Sequence, residues 1–96
     1  MSYFFIINPN AGKRHGDVLR RIERFFAGRR LRFEAEFTAA RDHASELSAK
    51  AALAGFRCVV AAGGDGTIRE TAAALLGKDA VLGILPCGSG NGLARN

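Results

Sequence analysis

Near the N-terminus, Tyr3-Phe4-Phe5-Ile6-Ile7 form an unbroken apolar run that stops at Asn8-Pro9-Asn10-Ala11-Gly12, the pattern of a strand buried on both faces and closed by a turn. From Asp17, read as an N-cap, apolar residues recur at Val18, Leu19, Ile22, Phe25 and Phe26 with helical spacing, and Gly28 supplies a stop. Leu31, Phe33, Ala35 and Phe37 then alternate with Arg32, Glu34 and Glu36. A period of two with one wetter face predicts an edge strand. A second helix is predicted from near Asp42 through Ala44, Leu47, Ala51 and Leu53 to Gly55, a third strand at 58–62, a third helix from about Thr67 to Leu76 with Gly77 as its stop, and a fourth strand at 80–85.

The order β-α-β-α-β-α-β, with apolar strands between the helices, predicts an α/β fold: a three-layer parallel sheet with helices on both faces. If the strands lie in the order 2-1-3-4, the loops after the first and third strands flank one crevice, where open parallel sheets bind ligands. Asn91-Gly92-Leu93-Ala94-Arg95-Asn96 has the look of the first turn of a further helix, so the chain is expected to be the N-terminal piece of a longer protein.

Composition adds bounds. At 96 residues and 48 % hydrophobic, one domain with one core is expected, of modest stability unless it docks on another domain or another copy of itself. Self-association is therefore anticipated. No apolar run approaches the roughly 20 residues that span a bilayer, and the N-terminus lacks a basic leader; a cytoplasmic location is expected. Cys58 and Cys87 sit among strand-like residues and read as buried reduced thiols. Phe4, Phe5, Phe25, Phe26, Phe33 and Phe37 are all expected in the core or half-buried.

The net charge of +5 is concentrated in Lys13, Arg14, Arg20, Arg21, Arg24, Arg29, Arg30 and Arg32, a stretch whose only acids are Asp17 and Glu23. Such a stretch is either an ordinary solvated face or a patch for phosphate-bearing partners, including a peripheral anionic membrane. No aromatic interleaving suggests nucleic-acid stacking, and no nucleic-acid partner is expected.

Three of the four loops at strand carboxyl ends are glycine-rich: Asn8-Pro9-Asn10-Ala11-Gly12-Lys13, Gly63-Gly64-Asp65-Gly66-Thr67 and Gly88-Ser89-Gly90-Asn91-Gly92. The fourth, Thr38-Ala39-Ala40-Arg41, has no glycine. Glycine loops let backbone N–H groups close on phosphate oxygens, and helix N-termini add positive potential. Thr67 and Ser89 offer hydroxyls and Lys13 a charge. A polyphosphate with a divalent cation is the expected ligand, and Gly66 is expected to have a conformation or a closeness of approach that a Cβ would forbid. The Walker pattern is absent, and Arg69 stands where a dinucleotide fingerprint has its third glycine. His43 reads as a surface or packing histidine.

The stretches Asn8-Pro9-Asn10-Ala11-Gly12-Lys13, Thr38 with His43-Ala44 and Leu47, Gly63-Gly64-Asp65-Gly66-Thr67 with Glu70, and Leu85-Pro86-Cys87-Gly88-Ser89-Gly90-Asn91-Gly92-Leu93-Ala94-Arg95 together resemble the diacylglycerol kinase catalytic-domain family, which includes bacterial lipid kinases and the sphingosine and ceramide kinases. Gly92 departs from the aspartate that many members carry. The resemblance implies an N-terminal domain related to phosphofructokinase and NAD kinase, and a second, β-rich lipid-binding domain absent from this chain. It implies ATP and Mg2+ as cofactors, a lipid acceptor such as diacylglycerol, and ATP contacts at Asn8, Pro9, Asn10, Ala11, Gly12, Thr38, Gly64, Asp65, Gly66, Thr67, Ile68, Arg69, Glu70 and Ser89. Asp65 is implied as the catalytic acid, either organising Mg-ATP or, as assigned in parts of the wider superfamily, acting as general base. An NAD kinase, and a non-catalytic nucleotide- or membrane-binding module, are the competing readings at this point.

Overall fold

A computed structural model describes residues 2–11 and 16–86. Strands β1 (Ser2–Ile7), β2 (Arg32–Phe37), β3 (Cys58–Gly63) and β4 (Val81–Pro86) alternate with helices α1 (Asp17–Phe26), α2 (His43–Leu53) and α3 (Asp65–Leu75). The strands form one sheet in the order β2-β1-β3-β4, and all three pairings are parallel. The predicted strand order and layer arrangement are those observed.

Alternation along each strand divides the core into two halves. Phe5, Ile7, Val60 and Ala62 point toward α1 and pack on its Val18, Ile22 and Phe26, while Phe4, Ile6 and Val59 point the other way onto Ala44, Leu47 and Ala51 of α2 and Leu75 of α3. β1 and β3 therefore bury both faces, which explains their unbroken apolar runs. In β2, Phe33, Ala35 and Phe37 join the α1 side, whereas Arg32, Glu34 and Glu36 are exposed. The rings of Phe5, Phe26 and Phe33 meet at centroid distances of 4.8–6.0 Å.

The seam between α2 and α3 is built from small residues and hydroxyls. Ser48 and Thr71 are both fully buried. The Ser48 Oγ donates to the Thr71 carbonyl at 3.0 Å, and the Thr71 Oγ1 donates to the Thr67 carbonyl at 2.8 Å. Ser45 adds a parallel bond from its Oγ to the Glu70 carbonyl, 3.2 Å. Each hydroxyl thus finds a carbonyl acceptor, the two serines across the seam on α3 and Thr71 on the preceding turn of its own helix, so burial leaves none unsatisfied, and the two helices approach more closely than larger side chains would permit.

Several local expectations are corrected. The N-cap of α1 is Gly16, left-handed at φ 91°, and not Asp17; the Asp17 carboxylate instead pairs with Arg20 at 2.9 Å. α3 begins at Asp65, two residues before the predicted start at Thr67, because Gly64 is extended and its carbonyl accepts the first helical bond from the Ile68 N–H at 3.1 Å. Leu53 is 82 % exposed and Phe25 is 55 % exposed: Leu53 lies opposite the buried stripe of α2, and Phe25 lies at the edge of the buried stripe of α1. Val81 and Ile84 of β4 are also exposed, so β4, the outer strand opposite β2, is less buried than its apolar sequence implied. Cys58 is half-buried and free; burial pushes its thiol above the ordinary value. Cys87 lies outside the described residues.

The seam predicts a graded response at Ser48. Ser48→Ala, which removes one buried hydrogen bond, is expected to lower unfolding free energy by about 0.5–1.5 kcal/mol. Ser48→Val, which also forces volume between the helices, is expected to cost about 1–3 kcal/mol. Urea melts of both variants check the order; equal stability of the Val variant and the parent would show that the helices are not in close contact there.

Candidate functional site

The carboxyl ends of β1, β2 and β3 open onto one cleft of about 340 Å³, lined by Asn8, Pro9, Asn10, Thr38, Ala39, Ala40, Arg41, Ala44, Gly66, Thr67 and Glu70. Its volume is at the small end of ligand clefts, about 300–1000 Å³. Three chain segments build it.

The first wall is the turn after β1. The Asn8 N–H donates to the Ala62 carbonyl of β3 at 2.9 Å, extending the sheet by one residue. Asn8 then turns the chain with its own side chain: its Oδ1 accepts from the Asn10 N–H at 2.8 Å, and its carbonyl accepts from the Ala11 N–H at 2.8 Å. This is the local bonding that makes asparagine a turn former. Ala11 is buried in the α1 half of the core, so it anchors the turn and does not line the cleft. Gly12 and Lys13 lie outside the described residues.

The second wall is the start of α3. Gly64 is the N-cap and has no side-chain cap bond, which leaves the first-turn amides without a capping side chain at the positive end of the helix dipole. Asp65 is exposed beside them. Thr67 is buried, and its Oγ1 accepts from the Asn8 Nδ2 at 3.4 Å, so its side chain joins this wall to the first. Ile68 is half-buried and Arg69 exposed; like Gly64 and Asp65, they are not part of the cleft lining.

The glycines separate into two kinds. At Gly63 an added Cβ would meet the Thr67 Oγ1 at 2.9 Å and the Asn8 Cβ at 3.1 Å, so the fold itself requires glycine there. At Gly66 an added Cβ would meet nothing within 4 Å, and the backbone is not left-handed. The expected conformational need at Gly66 is therefore absent from the protein alone; only closeness to a ligand is left as a reason for it.

The third wall is the loop after β2, which has no glycine to mark it. The Thr38 N–H donates to the Ile7 carbonyl at 2.8 Å, and the Ala39 N–H donates to the His43 Nδ1 at 2.7 Å, which makes His43 a local brace carrying its proton on the other nitrogen. Asp42, left-handed at φ 68°, caps α2, and its N–H donates to the Glu70 Oε2 at 3.1 Å. Glu70 thereby ties the loop to α3. Arg41 is exposed and lines the cleft, which gives it a cation.

Of the sequence-predicted residues, the cleft brings together Asn8, Pro9, Asn10, Thr38, Gly66, Thr67 and Glu70. Gly64 and Asp65 are exposed where α3 begins. Ser89 lies outside the described residues. Sequence reasoning missed Ala39, Ala40, Arg41 and Ala44; the predicted strand order already set the β2 loop beside the β1 loop and was the signal that could have found them.

A parallel three-layer α/β sheet with its cleft at the carboxyl edge serves many chemistries, and similarity to known proteins narrows the class. The chain belongs to the diacylglycerol kinase catalytic domain family, whose pattern it matches over residues 2–96. It is 36 % identical over 97 residues to a Cronobacter sakazakii protein named "Probable lipid kinase YegS-like", covering 97 % of this chain and 32 % of that one. It is 27 % identical over 99 residues to sphingosine kinase B of Dictyostelium discoideum, covering 95 % of this chain and 13 % of the relative. The chain thus spans a third or less of these relatives' lengths. In fold it is similar to a diacylglycerol kinase from Bacillus anthracis, with a TM-score of 0.77 at 24 % identity over 98 % of this chain and 35 % of that one.

The two glycines make opposite predictions about stability. Gly63→Ala is expected to destabilise the protein by about 1–3 kcal/mol through overpacking against Thr67 and Asn8. Gly66→Ala, in the first turn of α3, is expected to leave stability unchanged or raise it by up to about 1 kcal/mol. Thermal and urea melts distinguish them; a Gly66→Ala variant as damaged as Gly63→Ala would contradict the assignment of open space at Gly66.

Proposed function

We propose that the cleft holds the phosphate end of Mg-ATP and that the chain is the nucleotide-binding part of a lipid kinase, which transfers the γ-phosphoryl group to a lipid hydroxyl such as that of diacylglycerol. The observation carrying this reading is the start of α3: no side-chain cap at Gly64 and open space over Gly66, which lines one cleft with Arg41 and the Asn8 turn. Family membership and the lipid kinase relatives supply the reaction class.

In such a reaction the protein does little covalent work; positioning and charge stabilisation dominate. The α3 amides would donate to phosphate oxygens, Arg41 would offset charge on the transferred group, and the Asn8 turn would confine the nucleotide from the opposite side. Asp65 is a lone exposed carboxylate beside those amides, a donor set that suits Mg2+, which is commonly held by one or two carboxylates together with substrate phosphates. Bound there, the ion would neutralise charge on the β- and γ-phosphates. Glu70 holds the α2 N-terminus in place and acts as a positioning residue, while the Thr67 side chain sets the spacing between the walls.

In the full-length protein, Asp65→Asn is expected to lower kinase turnover by about 10²–10³ while leaving the melting temperature close to that of the parent, since the side chain is exposed; this chain alone, lacking the lipid-binding part, is expected to be inactive. Near-normal turnover would remove Asp65 from the reaction. Gly66→Val is expected to weaken Mg-ATP binding in calorimetry with the sheet intact; unchanged affinity in a folded variant would show that no ligand lies against this backbone. Assays of the full-length protein with diacylglycerol, sphingosine and NAD as acceptors separate a lipid kinase from an NAD kinase, and phosphorylation of NAD alone would overturn the proposal.

A further inference from the structure

The loop after β2 serves two depressions at once. Ala39, Ala40 and Arg41 line the nucleotide cleft and also a second hollow of about 440 Å³, which they share with Asp42, His43 and Glu46. All three are exposed, so core packing does not hold them; hydrogen bonds do. The Thr38 N–H ties the start of the loop to the Ile7 carbonyl of β1 at 2.8 Å, and the Asp42 N–H ties its end to the Glu70 carboxylate at 3.1 Å. Between these ties the Ala39 N–H donates to the His43 Nδ1 at 2.7 Å, and the His43 N–H donates to the Ala40 carbonyl at 3.2 Å. His43, the first residue of α2, thus grips the wall with both its ring and its backbone.

The ring can do this in one protonation state only. An imidazole nitrogen accepts a hydrogen bond while it is bare and becomes a donor once protonated, so the neutral ring keeps its proton on Nε2 and offers Nδ1 to Ala39. With both nitrogens protonated, N–H would face N–H at 2.7 Å. One of the two groups must then move. His43 is only half-buried and Ala39 is exposed, so solvent can protonate the ring and water can take over the released amide. Among the described residues the charged groups around the ring are Arg41, Asp42 and Glu46 at the hollow, and Glu70, which reaches from α3 to the peptide next to it. Of these side-chain types, imidazole is the one that ordinarily changes charge between about pH 5 and 8.

We infer that His43 is a positioning residue for the cleft: its uncharged ring holds the wall at 39–41 in the binding geometry, and protonation releases that wall and weakens Mg-ATP binding. The inference rests on the nucleotide reading of the cleft. Protonation has two effects of opposite sign, since loss of the bond displaces the wall whereas an imidazolium nearby attracts phosphate. His43 is outside the cleft lining, while Ala39 and Arg41 are part of it. The ring therefore acts through the wall, and solvent screens its charge from a ligand on the other side. Displacement wins, and acid weakens binding.

Calorimetry of Mg-ATP binding by the full-length protein at about pH 8 and about pH 5.5, on either side of ordinary imidazole titration, tests this together with nitrogen NMR of its histidine rings. His43→Asn keeps an acceptor oxygen in the place of Nδ1 and does not titrate; His43→Ala has no acceptor. At the higher pH the parent and the Asn variant are expected to bind alike, and the Ala variant about three- to tenfold more weakly, the worth of one hydrogen bond. At the lower pH the parent is expected to lose the same factor relative to the Asn variant, which carries the pH dependence of the nucleotide itself. The ring signal missing from both variants belongs to His43, and at the higher pH it is expected to show a bare Nδ1 and a protonated Nε2. Should His43→Ala not fold, the comparison of parent with Asn variant and the ring signal decide without it. An Asn variant with the pH profile of the parent, parent affinity that rises in acid relative to that variant, or a His43 ring protonated on Nδ1 at the higher pH would overturn the inference alone. Absence of Mg-ATP binding at both pH values would overturn the nucleotide reading and this inference together.

Discussion

The closeness of Gly63 to Thr67 and Asn8 is the constraint on which the carboxyl edge of this sheet depends. With no side chain at Gly63, the start of α3 folds back against the end of β1, and the Thr67 hydroxyl comes within reach of the Asn8 amide. Asn8 is in turn held to β3 by its backbone and shapes the turn through residue 11 with its side chain. One missing methyl group thus fixes the distance between two walls of the cleft. The third wall is referred to the same point through Glu70, one helical turn beyond Thr67, which holds the N-terminus of α2.

This arrangement puts rigidity and openness on adjacent residues. Gly63 and Thr67 are buried, whereas Gly64, Asp65 and Gly66 between them are exposed. Glycine in an exposed first turn costs helix stability and backbone entropy, and nothing in the protein's own packing offsets that cost at Gly66. A ligand lying against the backbone would offset it. The same division appears on the α1 side, where a well-packed inner face of Val18, Ile22 and Phe26 presents an outer flank whose exposed Phe25 contributes little to the core.

Much of this was legible in the sequence, because the decisive signals were periodicities. Unbroken apolar runs at β1 and β3 and the alternation in β2 follow directly from which strands are covered on both faces, and the order of strands and helices then leaves few topologies. Helix starts were less legible. Asp17 and Thr67 are good capping residues by type, but glycines at 16 and 64 took the capping positions, since a left-handed or extended glycine lets the helix begin without a side-chain bond. Leu53 misled because hydrophobicity alone does not report phase around a helix, and Phe25 because it stands at the edge of the buried stripe of α1. In the site, glycine marked the β1 and β3 loops, while the β2 loop, braced locally by His43 and from far along the chain by Glu70, carried no glycine to mark it.

The central claim is that three loops at the carboxyl edge form one Mg-nucleotide site. Hydrogen exchange of backbone amides, read by mass spectrometry with and without Mg-ATP, tests it most directly because it reports the α3 amides themselves. The account predicts slowed exchange in residues 8–11, 38–42 and 63–70 together, with 17–26 of α1 unchanged. Unaltered exchange at 63–70 with saturating Mg-ATP, or protection confined to α1, would contradict it.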